Sequence, residues 1–494
     1  MMLSHWIIAP VVLPAVLAPL IVLAFRRDLT LQRVFSTAGT GALLVLALSL
    51  LVASAKGPEL YRLGDWPAPF GIVLMLDRLS ALMLVLTAGL ALVVQLYAIG
   101  TGWDTRGKHF HALLQFQLMG LNGAFLTADA FNLFVFFEVL LIASYALMIH
   151  GAGGDRLRAG VQYVAFNLLG SSLFLIALAL LYSVTGTLNM ADLAVRIASL
   201  PEGDMALIRV GAVLLMLVFA IKGALVPLQF WLPGTYANAP GPVAALFAIM
   251  TKVGAYAMIR MGTLVFPPDV AATGELIADL LFWGALATLI VGAVGVLGAT
   301  TLPRLAAFAA IASMGTLFLG VSSFTVQGIT AALYYLIHST LAGAALFLIA
   351  DLIRTRQSGQ GIAGRGLMAC LYLAAAIALA GMPPLSGFLG KLMVMQVWAQ
   401  DAALVWSVIL VASFLMILGL ARMGSDLFWK GPTEATPALP QPLALTATFA
   451  LLAGVVALTV FAGPVTAWLQ TTAAALIDPA AYIAANALPV VEAK

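Results

Sequence analysis

The chain has 494 residues, of which 63% are hydrophobic and only 9% charged, with a formal net charge of +3 and a mean hydropathy of +1.09. A soluble domain is about 45–50% apolar and about 25% charged, so a water-soluble enzyme and a disordered chain are both excluded. Nearly every stretch of about 20 residues is apolar enough to cross a bilayer, and the expected fold class is an all-α polytopic membrane protein.

The hydropathy pattern predicts about fourteen spans, at roughly 5–25, 34–54, 79–99, 109–127, 130–150, 160–184, 206–230, 240–262, 276–298, 302–322, 328–353, 367–396, 402–423 and 441–470. The first is apolar from Ile7 to Phe25 and carries Arg26-Arg27-Asp28 behind it, the order of an uncleaved span rather than a signal peptide. The connection 185–205 holds Asp192-Leu-Ala-Val-Arg196-Ile, a candidate helix on the membrane surface. Spans seven and twelve look broken, at Lys222-Gly-Ala-Leu-Val-Pro227 and at Gly381-Met-Pro383-Pro384-Leu-Ser-Gly387, because proline removes a backbone donor and clashes with the preceding turn. Interrupted helices at matching places in two halves point to an inverted-repeat transporter. The expected division is a three-helix segment at 1–108, two inverted five-helix repeats at 109–262 and 263–423, and a C-terminal helix and tail at 424–494.

Of the 23 Lys and Arg, 13 fall in loops after odd-numbered spans, 7 on the other side, and Lys222, Lys252 and Lys391 inside apolar segments. The positive-inside bias then puts both termini on the outer face. No basic run suggests nucleic acid as a partner. The one cysteine, Cys370, permits neither an intrachain disulfide nor a cysteine-ligated cluster, and is expected to be a packing residue. The five histidines show no metal-ligand spacing, and no phosphate-cradling glycine motif is present, so neither metal nor cofactor is expected.

Among the acidic residues Glu138 stands out, alone in the apolar run Phe131–Tyr145. A charge at the bilayer centre costs about 2.5–3.5 kcal/mol on insertion scales, which makes Glu138, Lys222, Lys252 and Lys391 candidate proton-translocating residues. Burial disfavours an ammonium and a nearby carboxylate restores it, so a movable Glu138–Lys222 contact would switch the lysine between holding and releasing a proton. His338, well inside span eleven, is a candidate relay between the repeats. The competing readings are structural ion pairs for the charges and a hydrogen-bonded core residue for the histidine. Asp129 is expected to cap span five, Asp351 and Arg354 to pair at an interface, and His109 and His111 to lie in a solvated loop.

The segment Phe219-Ala-Ile-Lys222-Gly-Ala-Leu-Val-Pro227-Leu-Gln-Phe-Trp231-Leu-Pro233, with Ala239-Pro240-Gly-Pro242 and Thr251-Lys252-Val-Gly254, resembles the antiporter-like family of ion-translocating membrane proteins. That family joins the Mrp-type multisubunit monovalent cation/proton antiporters to the membrane-arm subunits of respiratory complex I. Asn132-Leu-Phe-Val-Phe-Phe-Glu138 and Gly381–Lys391 match its other signature regions, and the wording is most similar to the D subunit of the Mrp type. The resemblance implies fourteen helices, half-channels at the broken helices, and a central hydrophilic axis of Glu138, Lys222, Lys252, His338 and Lys391. It further implies a component of a hetero-oligomeric Na⁺(K⁺)/H⁺ antiporter in a bacterial plasma membrane, with protons and Na⁺ or K⁺ as cargo. The alternative is a proton-pumping membrane component of a complex I-like NADH–quinone oxidoreductase or a membrane-bound hydrogenase.

Overall fold

The computed structural model describes residues 4–201, 205–358, 361–430 and 441–488; Lys494 and the tail from 489 lie outside them. In chain order the helices are α1 (Ala9–Leu23), α2 (Leu29–Ala53), α3 (Arg78–Thr101), α4 (Phe110–Leu126), α5 (Ala130–Met148), α6 (Gly154–Thr185), α7 (Met190–Ala198) and α8 (Met205–Lys222). They continue as α9 (Trp231–Asn238), α10 (Gly241–Leu264), α11 (Leu276–Gly298), α12 (Leu302–Val321), α13 (Val326–Arg356), α14 (Arg365–Ala380) and α15 (Ser386–Val397). The last are α16 (Ala402–Phe428), α17 (Pro442–Val460), α18 (Ala462–Ile477) and α19 (Ala480–Ala485). A small antiparallel hairpin, β1 (Glu59–Arg62) with β2 (Val73–Leu76), covers the approach to α3. Among the described residues, 11 helices are long and apolar enough to cross a membrane, which makes this a multi-pass membrane protein.

Helix starts follow the expected chemistry. Asp28 accepts from the Thr30 and Leu31 amides at the head of α2, and Asp77 forms a reciprocal capping pair with Ser80 at α3. Asp129 accepts from the Asn132 amide at 2.7 Å and caps α5 as the sequence predicts.

The layering is set by what each helix can hide. Every residue of α10 is buried, and most of α13 is as well; these two helices sit at the centre. Outer helices keep apolar side chains on their outward faces, such as Val45 on α2, Val161 on α6 and Val411 on α16, the arrangement suited to a lipid solvent in which all backbone polar groups pair internally.

Three details differ from the sequence expectation. The segment expected as one span at 441–470 is two helices: α17 stops at Val460, the chain turns at Phe461, and α18 starts anew. Pro464 sits in the first turn of α18, where its missing amide leaves no bond unmade, and α18 packs on α13. The candidate surface helix forms as α7, but it buries Met190, Ala191, Leu193, Ala194 and Ile197 against neighbours that include α10 and α19. Cys370 is exposed on α14 instead of packed.

Candidate ion-translocation site

Both predicted interruptions are present. Between α8 and α9 the chain runs through Gly223, Ala224 at φ +53° and Pro227. The backbone groups freed there find partners: the Trp231 indole donates to the Ile221 carbonyl at 3.0 Å, and the Val226 amide donates to Thr288 Oγ1 on α11 at 2.9 Å. Between α14 and α15 the chain turns at Gly381, φ +74°, and passes Pro383-Pro384.

Each break carries one lysine beside it. Lys222 is the last residue of α8, and Lys391 on α15 donates to the Ala380 carbonyl at the end of α14 at 2.8 Å. A helix C-terminus carries about half a negative charge, so the Lys391 ammonium rests at the negative end of interrupted α14.

All four basic candidates are inside the protein: Lys222 is 7% exposed, Lys252 2%, His338 1% and Lys391 5%. Among the described residues none of them forms an ion pair; their partners are uncharged. Lys222 Nζ donates to Asn167 Oδ1 on α6 at 2.5 Å and lies 5.9 Å from the centre of the Phe137 ring. Lys252 Nζ approaches Met314 Sδ at 3.4 Å. His338 Nδ1 and Ser386 Oγ share a hydrogen bond of 2.9 Å, and Lys391 also donates to Ser413 Oγ on α16 at 2.9 Å. Glu138 is half-buried on α5 and accepts from the Ser171 hydroxyl. Asn167 and Ser171, one turn apart on α6, therefore stand between the glutamate and Lys222, and the direct contact anticipated for that pair is absent.

Packing joins parts of the row. Helix α10, which bears Lys252, approaches α8 so closely at Gly254 that a Cβ there would come 2.9 Å from the Lys222 Cβ. His338 and Lys391 both lie against the α14–α15 interruption, where a Cβ at Gly387 would come 2.8 Å from His338 Nε2 and one at Gly381 2.7 Å from Lys391 Cδ.

Polar cavities lie at both ends of α13, the helix that carries His338. One of about 270 Å³ is lined by Asp155, Arg156, Asp351 and Arg354. The other, about 460 Å³, is lined by Thr325, Gln327, Thr330, Gln396, Thr466 and Gln470. At 1.5 Å per residue, Thr330 is about 12 Å and Asp351 about 20 Å along the helix from His338.

Two predicted loop or interface residues prove more deeply engaged. Asp351 pairs with Arg354 at 2.9 Å and also accepts from the Trp103 indole at 2.8 Å and the Tyr97 hydroxyl at 3.0 Å. His109 is exposed, but His111 is wholly buried. Its Nε2 donates to Asp104 at 3.1 Å, while Arg33 binds the same carboxylate through two nitrogens at 2.6 and 3.0 Å. Burial alone would raise the Asp104 carboxyl, but the hydrogen bonds from His111 and Arg33 hold it below the ordinary carboxylate range. The network continues from His111 through Gln95 to Thr40 and Gln115. Sequence reasoning also missed Asn167, Ser171, Ser386 and Ser413; a polar pair four residues apart inside the apolar α6 was the available signal for the first two.

The profile of the family described as NADH:quinone oxidoreductase/Mrp antiporter, TM, matches residues 127–417, a stretch that contains all five candidate residues. The chain belongs to this family. It is 39% identical to the D subunit of a probable K⁺/H⁺ antiporter of Rhizobium meliloti (strain 1021), over 97% of this chain and 96% of that one. It is 37% identical to the D subunit of a Na⁺/H⁺ antiporter of Bacillus subtilis (strain 168), over 98% and 99%. A chain in the solved Mrp complex of Dietzia sp. DQ12-45-1b superposes with a TM-score of 0.90 at 29% identity, covering 98% of this chain and 100% of its own. Within the family, the likeness is to the Mrp-type D subunit.

Proposed function

We propose that the protein is the proton-translocating component of a multisubunit Na⁺(K⁺)/H⁺ antiporter in a bacterial plasma membrane, a secondary transporter rather than an enzyme. The observation that carries this reading is the row of buried basic side chains, Lys222, Lys252, His338 and Lys391, each contacting only uncharged partners. A lysine locked to a carboxylate keeps its proton; one held by an amide, a hydroxyl or a helix end exchanges it with less penalty. Protons pass along Glu138, Lys222, Lys252, His338 and Lys391, with the cavities at the two ends of α13 as water-filled mouths. Ser171 and Asn167 bridge Glu138 to Lys222, so coupling within the first repeat runs through α6 side chains.

Joining α8 to α9 and α14 to α15 gives fourteen crossings: α1 to α6, the two joined pairs, α10 to α13, α16 and α17. The units 109–262 and 263–423 are the inverted repeats, flanked by 1–108 and 424–494, and both termini face outward. Glu138 is only half-buried, on an α5 face that also exposes Phe131, Val135 and Ile142, and a charge there is costly in lipid; a neighbouring protein of the complex covers it. The Rhizobium and Bacillus relatives, antiporter components by name, favour this reading over the complex I-like alternative.

The test is antiport in everted membrane vesicles that contain the whole complex. Lys222→Ala abolishes Na⁺- or K⁺-driven proton movement while the complex still assembles. Normal antiport by that variant would refute the role given to Lys222.

A further inference from the structure

A cavity of about 160 Å³ opens where the end of α2, the start of α3 and helices α18 and α19 meet. It lies outside the residues matched by the family profile and away from the titratable row. Its lining includes Lys56, Arg78, Asp77 and Tyr482. Asp77 is already neutralised: both of its oxygens lie within 2.8 Å of Arg260 Nη2, a buried guanidinium. Among the described residues Lys56 has no acidic partner, and Arg78 has only a 3.4 Å contact to the Ala55 carbonyl and the face of Trp468 at 5.6 Å. Tyr482 is 4% exposed, and its hydroxyl is buried without a hydrogen-bond partner. A buried hydroxyl left unpaired costs free energy, and an anion with acceptor oxygens would satisfy it.

The surface beside the cavity indicates which anion fits. Val45, Leu48 and Val52 are 68%, 46% and 74% exposed along α2. Their spacing of three and four residues puts them on one face, and Lys56 follows four residues later. An apolar stripe thus leads to a pair of cations at the helix end.

We propose that this cavity binds the phosphodiester of a phospholipid headgroup, with Lys56 and Arg78 on the phosphate, the Tyr482 hydroxyl donating to it, and an acyl chain along Val45, Leu48 and Val52. The site anchors a lipid at the junction of the N-terminal helices with α18 and α19, independently of ion transport.

The test uses the full chain with the proteins that co-purify, delipidated in detergent and titrated with phosphatidylglycerol in mixed micelles. Bound lipid is read as organic phosphorus per chain after gel filtration. The double substitution Lys56→Ala/Arg78→Ala weakens binding about thirty-fold, the electrostatic worth of two basic side chains at a lipid surface. Arg78→Lys restores part of it. Tyr482→Phe keeps the ring beside Arg260 and weakens binding about five-fold through the lost hydroxyl. Inorganic phosphate does not displace the lipid. Equal lipid binding by the parent and the Lys56→Ala single variant, whose exposed side chain is not needed for folding, would overturn the proposal. So would displacement of lipid by inorganic phosphate, which would make the site a free-anion site.

Discussion

At the scale of single residues, the partners of the buried charges decide what those charges can do. Asn167 is the only side chain within hydrogen-bond distance of the Lys222 ammonium among the described residues. Asn167→Leu removes a hydrogen bond to a charged group, worth about 1.5–3 kcal/mol, and is expected to lower antiport in vesicles by at least about ten-fold; unchanged activity would show that the bond is dispensable. Asp129 offers a pH test outside the spans. Burial pushes its carboxyl up to about 6, against the pull of the Asn132 and Phe131 amides. The folded value lies above the unfolded one of about 3.9, so stability is gained as the pH falls through 6, and the ionised form is a burden at pH 8. Asp129→Asn retains a good cap and is expected to be more stable than the parent at pH 8, by about 2 kcal/mol, with the gain gone near pH 4. Thermal unfolding in detergent at the two pH values measures it, and a gain that does not change with pH contradicts it.

The charges themselves were legible in the sequence because a lone Glu138 or Lys252 in an apolar run is costly in lipid. Their partners were not, since serine and threonine in membrane helices commonly bond back to their own helix, as Ser172 and Thr340 do here. Nothing local separates those from Ser171, Ser386 or Ser413, which reach another helix. His111 was misjudged because Lys108 and His109 make its surroundings look solvated; only the folded chain brings Asp104 and Gln95 around it.

At the scale of elements, the interruptions were readable from Pro227 and Pro383-Pro384, and the structure adds what they create. Gly381 closes α14 in a left-handed turn, and a Cβ there would lie 2.7 Å from Lys391 Cδ. Gly381→Ala therefore combines backbone strain of about 1–2 kcal/mol with displacement of the lysine, and is expected to lower both the unfolding midpoint and antiport. Gly343→Ala, where an added Cβ meets nothing within 4 Å, is the matched control and should be near neutral. The split of α17 from α18 escaped the sequence reading because hydropathy is blind to a turn at Phe461 that leaves the composition unchanged.

For the whole molecule, the N-terminal helices are fastened by buried polar groups as well as by apolar packing. The Arg33–Asp104–His111 cluster ties α2 to the connection between α3 and α4 and to α4 itself. Asp104→Asn leaves Arg33 and His111 without their carboxylate, and a loss of about 2 kcal/mol is expected in thermal unfolding, below the 3–5 kcal/mol of a fully buried pair because Arg33 is partly exposed. Since the folded carboxyl is held low, that contribution is present above about pH 4 and disappears on further acidification. Antiport per assembled complex should fall less than for Lys222→Ala, because the cluster lies outside the titratable row.

A proline that breaks a helix in mid-membrane manufactures a negative pole where lipid allows no salt or water to supply one. The carbonyl of Ala380 plays that part for Lys391, with the Ser413 hydroxyl beside it, so the ammonium is steadied by dipoles and not by a carboxylate. On the proton route proposed above, deprotonation of Lys391 strands no anion in the hydrocarbon, and the cargo departs while its berth stays electrically quiet.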